Sequence, residues 1–234
     1  MPDHEGTHFF LYQDCLLRVP CDILVPKFGS LLLARHLPWR EGDVVLDLGT
    51  GAGLIGILAA RRGHRALAID VVAACTACAR ANALLNGVGD RLEVRTGDMF
   101  APVIGRSFDL VAANLSQMPT PPGREWADLQ SLTDNGGPDG WALLDRMIQA
   151  APTHLTPQGR LVFTLFDFLG VERALTKLRA AGLAPSILAR VEQPFPRLAR
   201  ERLEYIRSLD IEGALPERPL TCARLILSGQ KGSQ

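Results

Sequence analysis

From residue 44 onward, short and nearly continuous apolar runs take turns with stretches whose apolar residues recur every three or four positions. Val44-Val45-Leu46-Asp47-Leu48, residues 65–70, residues 92–96, Phe108-Asp109-Leu110-Val111-Ala112-Ala113, residues 160–165 and residues 186–191 read as strands, with residues 222–228 as the last. Helical periodicity fills 54–62, 72–86, 141–150 and 171–181 between them. Such alternation predicts an α/β fold, with a doubly wound, mostly parallel sheet. Ahead of it, residues 8–12 and 15–19 look like two extended pieces, and residues 28–37 a helix capped at its start by Ser30. Residues 1–42 are therefore expected to form an N-terminal cap segment and residues 43–234 the main domain. A helical insertion near 194–220 carries Arg197, Arg200, Arg202 and Arg207 offset by two glutamates, which reads as a solvated helix face. Residues 229–234 look frayed.

The turn between the first strand and the first helix of the main domain is Gly49-Thr50-Gly51-Ala52-Gly53. Residues 51–56 also satisfy the dinucleotide fingerprint, in which glycines bring backbone and helix N-terminus onto a pyrophosphate. Asp47 argues against that ligand. A carboxylate two residues before the first glycine would oppose a pyrophosphate in a partly desolvated turn, at a cost of several kcal/mol by an order-of-magnitude Coulomb estimate. The same carboxylate suits a cation. S-adenosylmethionine carries an ammonium and a sulfonium and no phosphate, so it matches this turn. Asp70 follows Gly51 by 19 residues, the span at which one strand-helix-strand step returns an acid to the cleft, within reach of ribose hydroxyls. It also reads as the N-cap of the next helix. Asp98 ends the third strand in the same way, so three acids fall at one carboxyl edge of the sheet.

Composition narrows the picture in two respects. Lys plus Arg equals Asp plus Glu at 25 each, so no global basic field favours a polyanion, and nucleic acid is not the expected partner. Five cysteines at irregular spacing read as free thiols in a reducing compartment, and Cys75-Thr76-Ala77-Cys78, set among helical alanines, as small buried residues with no metal. No apolar run is long enough to span a bilayer and residues 1–17 lack the pattern of a signal peptide, so the chain is expected to be cytoplasmic, away from membranes.

Asp47, Gly49, Gly51 and Gly53 give the chain its resemblance to the class I S-adenosylmethionine-dependent methyltransferases. Pro26-Lys27-Phe28-Gly29-Ser30 and the segment 134–140 extend the likeness toward the release-factor glutamine methyltransferase-like group, over roughly residues 22 to 170. The resemblance implies a seven-stranded sheet whose last strand is antiparallel, with S-adenosylmethionine as cofactor. It further implies that Ser30, Asp47, Gly49, Thr50, Gly51, Gly53, Asp70, Val71, Asp98, Met99 and Asn114 bind it, with Asp98 accepting from the adenine amino group and Met99 packing on the ring.

The same group carries N-P-P-[YF] after the fourth strand, where the Asn orients the acceptor nitrogen and the aromatic ring stacks on its plane. Here the motif is Asn114-Leu115-Ser116-Gln117, and only the Asn survives. A hydroxyl and a carboxamide in place of a proline and a ring suit a small polar acceptor. The expected activity is N-methylation of an amine or amino acid, with Asn114, Ser116 and Gln117 as catalytic residues and the loop 119–140, with Trp126 at its middle, as a lid on the acceptor side. Three other readings remain open: a protein glutamine N-methyltransferase, although the helical N-terminal domain that docks release factors has no counterpart; a cofactor-binding regulatory subunit; and non-methyl-transfer chemistry on the cofactor.

Overall fold

The protein is described here by a computed structural model, which covers residues 6–124, 134–210, 212, 213 and 215–233. Strands β1 (Thr7–Tyr12) and β2 (Cys15–Pro20) pair as an antiparallel hairpin. Seven more strands, β3 (Val44–Leu48), β4 (Arg65–Asp70), β5 (Leu92–Thr96), β6 (Phe108–Ala113), β7 (Leu155–Phe166), β8 (Leu183–Pro194) and β9 (Thr221–Lys231), form one sheet in the order β5-β4-β3-β6-β7-β9-β8. Strands β3 to β7 are mutually parallel, and β9 runs antiparallel to both β7 and β8. The expected sheet is therefore present.

Alternation along each strand splits the core into two layers. Val45, Ala68, Leu110 and Ala112 face α1 (Phe28–His36), α2 (Leu54–Arg61) and α3 (Ala73–Leu85). Leu46, Leu48, Val111 and Phe163 face the other way, onto α4 (Ala142–Ala150) and α5 (Val171–Ala180). The hairpin is fastened to α3 by polar contacts, in which Arg18 N–H donates to Asn82 Oδ1 at 2.8 Å and Leu16 N–H to Asn86 Oδ1 at 3.0 Å. Cys75 and Cys78 lie buried on α3, where burial pushes both thiols well above their usual range.

Several boundaries differ from those the sequence suggests. Residues 157–159, which look like a turn, lie within β7: Gln158 takes φ +62° and the register against β6 shifts there, so the ladder absorbs the irregularity. Gly229 to Lys231 belong to β9, because Gly229 pairs with both Leu161 and Pro185 and the Lys231 ammonium donates to the Pro152 and Leu155 carbonyls. The arginine-rich stretch breaks into α6 (Arg197–Glu201) and α7 (Leu203–Ser208) at Arg202. That guanidinium is buried and donates to Pro119 O and Thr120 Oγ1, each at 2.8 Å, so the insertion is pinned onto the loop after β6 and this arginine does not face solvent.

One ion pair ties the amino edge of the sheet. Arg160 of β7 donates to Asp43 Oδ2 at 2.5 Å, with both side chains at least 95% buried, and the same carboxylate oxygen accepts the Arg40 N–H. That bond is made by Nη2, and Nε and Nη1 of Arg160 are buried without a hydrogen-bond partner. Removing the acid would leave a buried guanidinium unpaired, so Asp43→Ala is expected to lower the unfolding free energy by about 3–5 kcal/mol. A urea titration of the variant against wild type measures this; a loss below about 1 kcal/mol would contradict it.

Candidate functional site

At the carboxyl edge of the sheet, the chain leaves β3 through the glycine turn and enters α2. Gly49, Gly51 and Gly53 all take positive φ. A Cβ on Gly49, strained already at φ +74°, would come within 2.7 Å of Leu115 Cδ2, so the turn and the loop after β6 approach closely there. At Gly51 (φ +54°) a Cβ would meet nothing within 4 Å, because that position opens into the cleft.

Asp47 is 3% exposed. Its Oδ2 accepts the Thr50 hydroxyl at 2.6 Å and the Gly56 N–H at 3.0 Å, which locks the turn to the helix. Burial pushes its carboxyl up to about 6 against the pull of these two donors. Asp47 and Thr50, read from the sequence as ligand contacts, thus also brace the turn. Asp70, at the end of β4, accepts Gly51 N–H at 2.9 Å and Val72 N–H at 3.0 Å, and burial raises its carboxyl too. It is not the N-cap of α3, which begins at Ala73 with Val72 in the cap position. Val71 beside it is 61% exposed, an apolar face on the cleft. After β5, Asp98 accepts from Arg146 Nη2 at 2.5 Å, and Met99, at φ +49°, packs toward the core while lining the same cleft.

Across the cleft, α1 meets the end of β6. Ser30 is not an N-cap: it lies within α1, whose cap residue is Lys27, and its Oγ accepts from Asn114 Nδ2 at 3.0 Å. Asn114 Oδ1 accepts the Thr164 hydroxyl at 2.6 Å. The expected catalytic role of Gln117 fails on geometry. This side chain is 3% exposed; its Nε2 donates to Thr164 O and Oγ1, and its Oε1 accepts Phe166 N–H at 2.8 Å. The carboxamide is consumed in holding the loop to β7, and Gln117, Thr164 and Asn114 form one hydrogen-bonded chain that fixes the Asn114 amide. Ser116 is half-buried and lines the cleft. Of the expected lid, residues 125–133, Trp126 included, lie outside the described residues. The described flanks are hooked together by Thr120 N–H to Gly137 O and Gly136 N–H to Met118 O.

Phe166, Arg202 and Arg224 line the cleft and Thr164 lies buried behind Asn114; none was expected there, Arg202 having been read as part of a solvated helix face. A charged residue inside the apolar run 222–227 was the signal for Arg224. The whole cleft measures about 1320 Å³, room for a nucleoside and an acceptor side chain together. Acids at three successive strand ends, the exposed Val71 and the open face of Gly51 fit a cation-bearing nucleoside.

This strand order, with a glycine turn after β3 and acids ending β3 and β4, defines the class I methyltransferase architecture. The family model for the methyltransferase small domain matches residues 26–181, and the chain belongs to that family of S-adenosylmethionine-dependent methyltransferases. A release factor glutamine methyltransferase of Cereibacter sphaeroides is 38% identical over 177 residues, covering 71% of this chain and 62% of its own length. A Methanocaldococcus jannaschii protein, provisionally assigned as a protein N5-glutamine methyltransferase, is 29% identical over 183 residues, covering 78% of this chain and 91% of its own. Among solved structures, the Mtq2–Trm112 complex of E. cuniculi superposes with a TM-score of 0.59 at 18% identity, covering 90% of this chain and 99% of that one, which supports the fold. The chain thus spans less than two thirds of the release-factor enzyme it matches. These relatives overturn the expected small-molecule acceptor, because they are named for glutamine in proteins.

Replacing Gln117 by Leu strands the Phe166 N–H in a dry layer and leaves the Thr164 hydroxyl with Asn114 as its one remaining partner. The variant is expected to lose about 1–3 kcal/mol of stability for the stranded group, read by denaturant titration. Unchanged stability would mean that the carboxamide is not structural.

Proposed function

We propose that the chain methylates the side-chain carboxamide nitrogen of a glutamine in a protein, with S-adenosylmethionine as donor. The observation that carries this reading is the run of relatives named for that reaction over more than two thirds of the chain. We take residues 1–42 as a cap segment on the domain 43–234, with α1 closing the cleft. Asp47, Gly49, Thr50, Gly51 and Gly53 receive the methionine portion, with Ser30 opposite; Asp70 and Val71 receive the ribose; Asp98 and Met99 receive the adenine. The five free cysteines further favour the cytoplasm as its compartment.

When bound, the cofactor supplies an electrophilic methyl group on a sulfonium that leaves as a neutral thioether. The methylated amide nitrogen loses one proton, which passes to solvent, and the chain's share is alignment of the nucleophile. Asn114 Oδ1 accepts one hydrogen bond from Thr164 and retains a lone pair, which accepts an N–H of the acceptor carboxamide and points its nitrogen at the methyl. Ser116 is the second polar contact. Loss of the N-P-P-[YF] prolines and ring is offset by Gln117 and Thr164, which hold Asn114 from behind.

Incubation with S-adenosylmethionine and a ribosome and release-factor fraction of the source cells, followed by mass spectrometry, tests the reaction. Methylated glutamine is expected, and adenosylhomocysteine formed without any modified glutamine would refute the reading. Asn114→Ala is expected to lower turnover about a hundredfold while cofactor affinity stays within about threefold. Equal turnover would remove Asn114 from the reaction.

Asp47 sets a pH dependence. Its carboxyl, raised to about 6, is neutral below that pH and charged above it. A cationic ligand favours the charged form, so affinity for S-adenosylmethionine is expected to fall as pH drops through 6, by at most about tenfold per unit. Calorimetric titrations from pH 5 to 8 measure the slope, and Asp47→Asn should flatten it.

A further inference from the structure

The acids at the ends of β3, β4 and β5 face one half of the cleft, and its other half contains a cation without an acid. Arg224 stands on β9, opposite Phe166 in the β7 ladder. Its Cζ lies 3.4 Å above the Phe166 ring centroid, so the ring covers one face of the guanidinium. Nε is buried with no hydrogen-bond partner, and among the described residues no carboxylate pairs with this side chain. Burial pushes the guanidinium down to about 10, the direction expected for a cation held without a counter-charge.

Its surroundings point into the site. A Cβ on Gly29 would sit 3.4 Å from Arg224 Cζ and 3.1 Å from Asn114 Oδ1, so the guanidinium and the Asn114 amide approach the same glycine. Gly29 lies in the first turn of α1, which carries no acid and has no side-chain cap, so the exposed end of that helix adds to the positive potential. The neighbouring arginines are otherwise engaged: Arg197 pairs with Glu201, and Arg202 holds Pro119 and Thr120. A single planar guanidinium with its edge free matches a carboxylate in bidentate geometry.

We propose that Arg224 is a carboxylate receptor at the acceptor end of the cleft, selecting a substrate that carries an anionic group next to the methylated amide. The assignment rests on the cleft being the transfer site. Three strand spacings separate β9 from β3 in the sheet, about 14 Å, with β6 and its Asn114 between them. The carboxylate is therefore expected from the acceptor, an acidic side chain or a free chain end, and the cofactor's own carboxylate is the other source of the same chemistry.

The test follows the Arg224 Nε–H resonance of the full chain in chloride-free buffer, identified by its loss in Arg224→Lys. With adenosylhomocysteine saturating, acetate should shift this resonance and acetamide should not, which supports the acceptor carboxylate. A shift on adding adenosylhomocysteine that methylthioadenosine does not produce, followed by indifference to acetate, would keep the receptor and assign it to the cofactor. Indifference to acetate and to adenosylhomocysteine alike would overturn the proposal. In Arg224→Gln, affinity for the responding carboxylate should fall about tenfold. That variant should melt no lower than wild type, because it loses an unpaired buried charge. Wild-type binding of adenosylhomocysteine is scored separately: its absence would count against the methyltransferase reading, while the acetate response of the apoprotein would still decide the role of Arg224.

Discussion

Asp47 Oδ2 holds the Thr50 hydroxyl and the Gly56 N–H at once, and the geometry of the cleft depends on that pair of hydrogen bonds. These bonds act beside the backbone links Gly53 N–H to Thr50 O and Ile57 N–H to Gly53 O, and they are the side-chain part of the junction. The arrangement opposes stability. A carboxyl whose folded pKa is raised from 3.8 to about 6 contributes stability below pH 3.8 that is lost as pH rises through 6. The fold therefore carries an ionised acid at neutral pH in the place where a cationic ligand would use it.

From that turn, contacts spread in two directions. Gly51 donates its N–H to Asp70, so the ends of β3 and β4 are coupled through one backbone group. Gly49 faces the Leu115 side chain, so the turn and the loop after β6 lie close together, and Gln117 and Thr164 fix Asn114 from the β7 side. Arg202 reaches the same loop from the insertion, through Pro119 and Thr120. The loop after β6 is held from three sides although it lacks the two prolines that would stiffen it in the N-P-P-[YF] pattern.

Most strand and helix identities were readable because β3, β4 and β6 are short, mainly apolar runs and α4 and α5 show an apolar period. The acids at strand ends were readable because one strand-helix-strand step has a nearly fixed length. Gln117 was not: a carboxamide in a cleft loop has the same appearance whether it faces a ligand or braces a strand, and only the ladder position of Thr164 and Phe166 decides. Ser30 misled for a similar reason, since a serine near a helix start reads as a cap, while its hydroxyl is occupied by Asn114 from 84 residues away. Arg202 sits among exposed arginines of similar spacing, and tertiary contacts alone single it out.

Placement of β9 explains how one cleft contains both charge preferences. Because β9 is antiparallel, its beginning lies at the edge where the parallel strands end, and Arg224 comes from the start of a strand while Asp47 and Asp70 come from the finish of theirs. Chain direction thus brings a residue late in sequence to the cleft, on the side of Asn114, without lengthening any loop. A guanidinium left without a counter-ion there costs stability, as does the carboxyl of Asp47 on the other side. With Arg224 as the proposed carboxylate receptor, two charges of opposite sign without counter-ions at the two ends of one cleft would suit a pair of ligands that supply a cation to one end and an anion to the other.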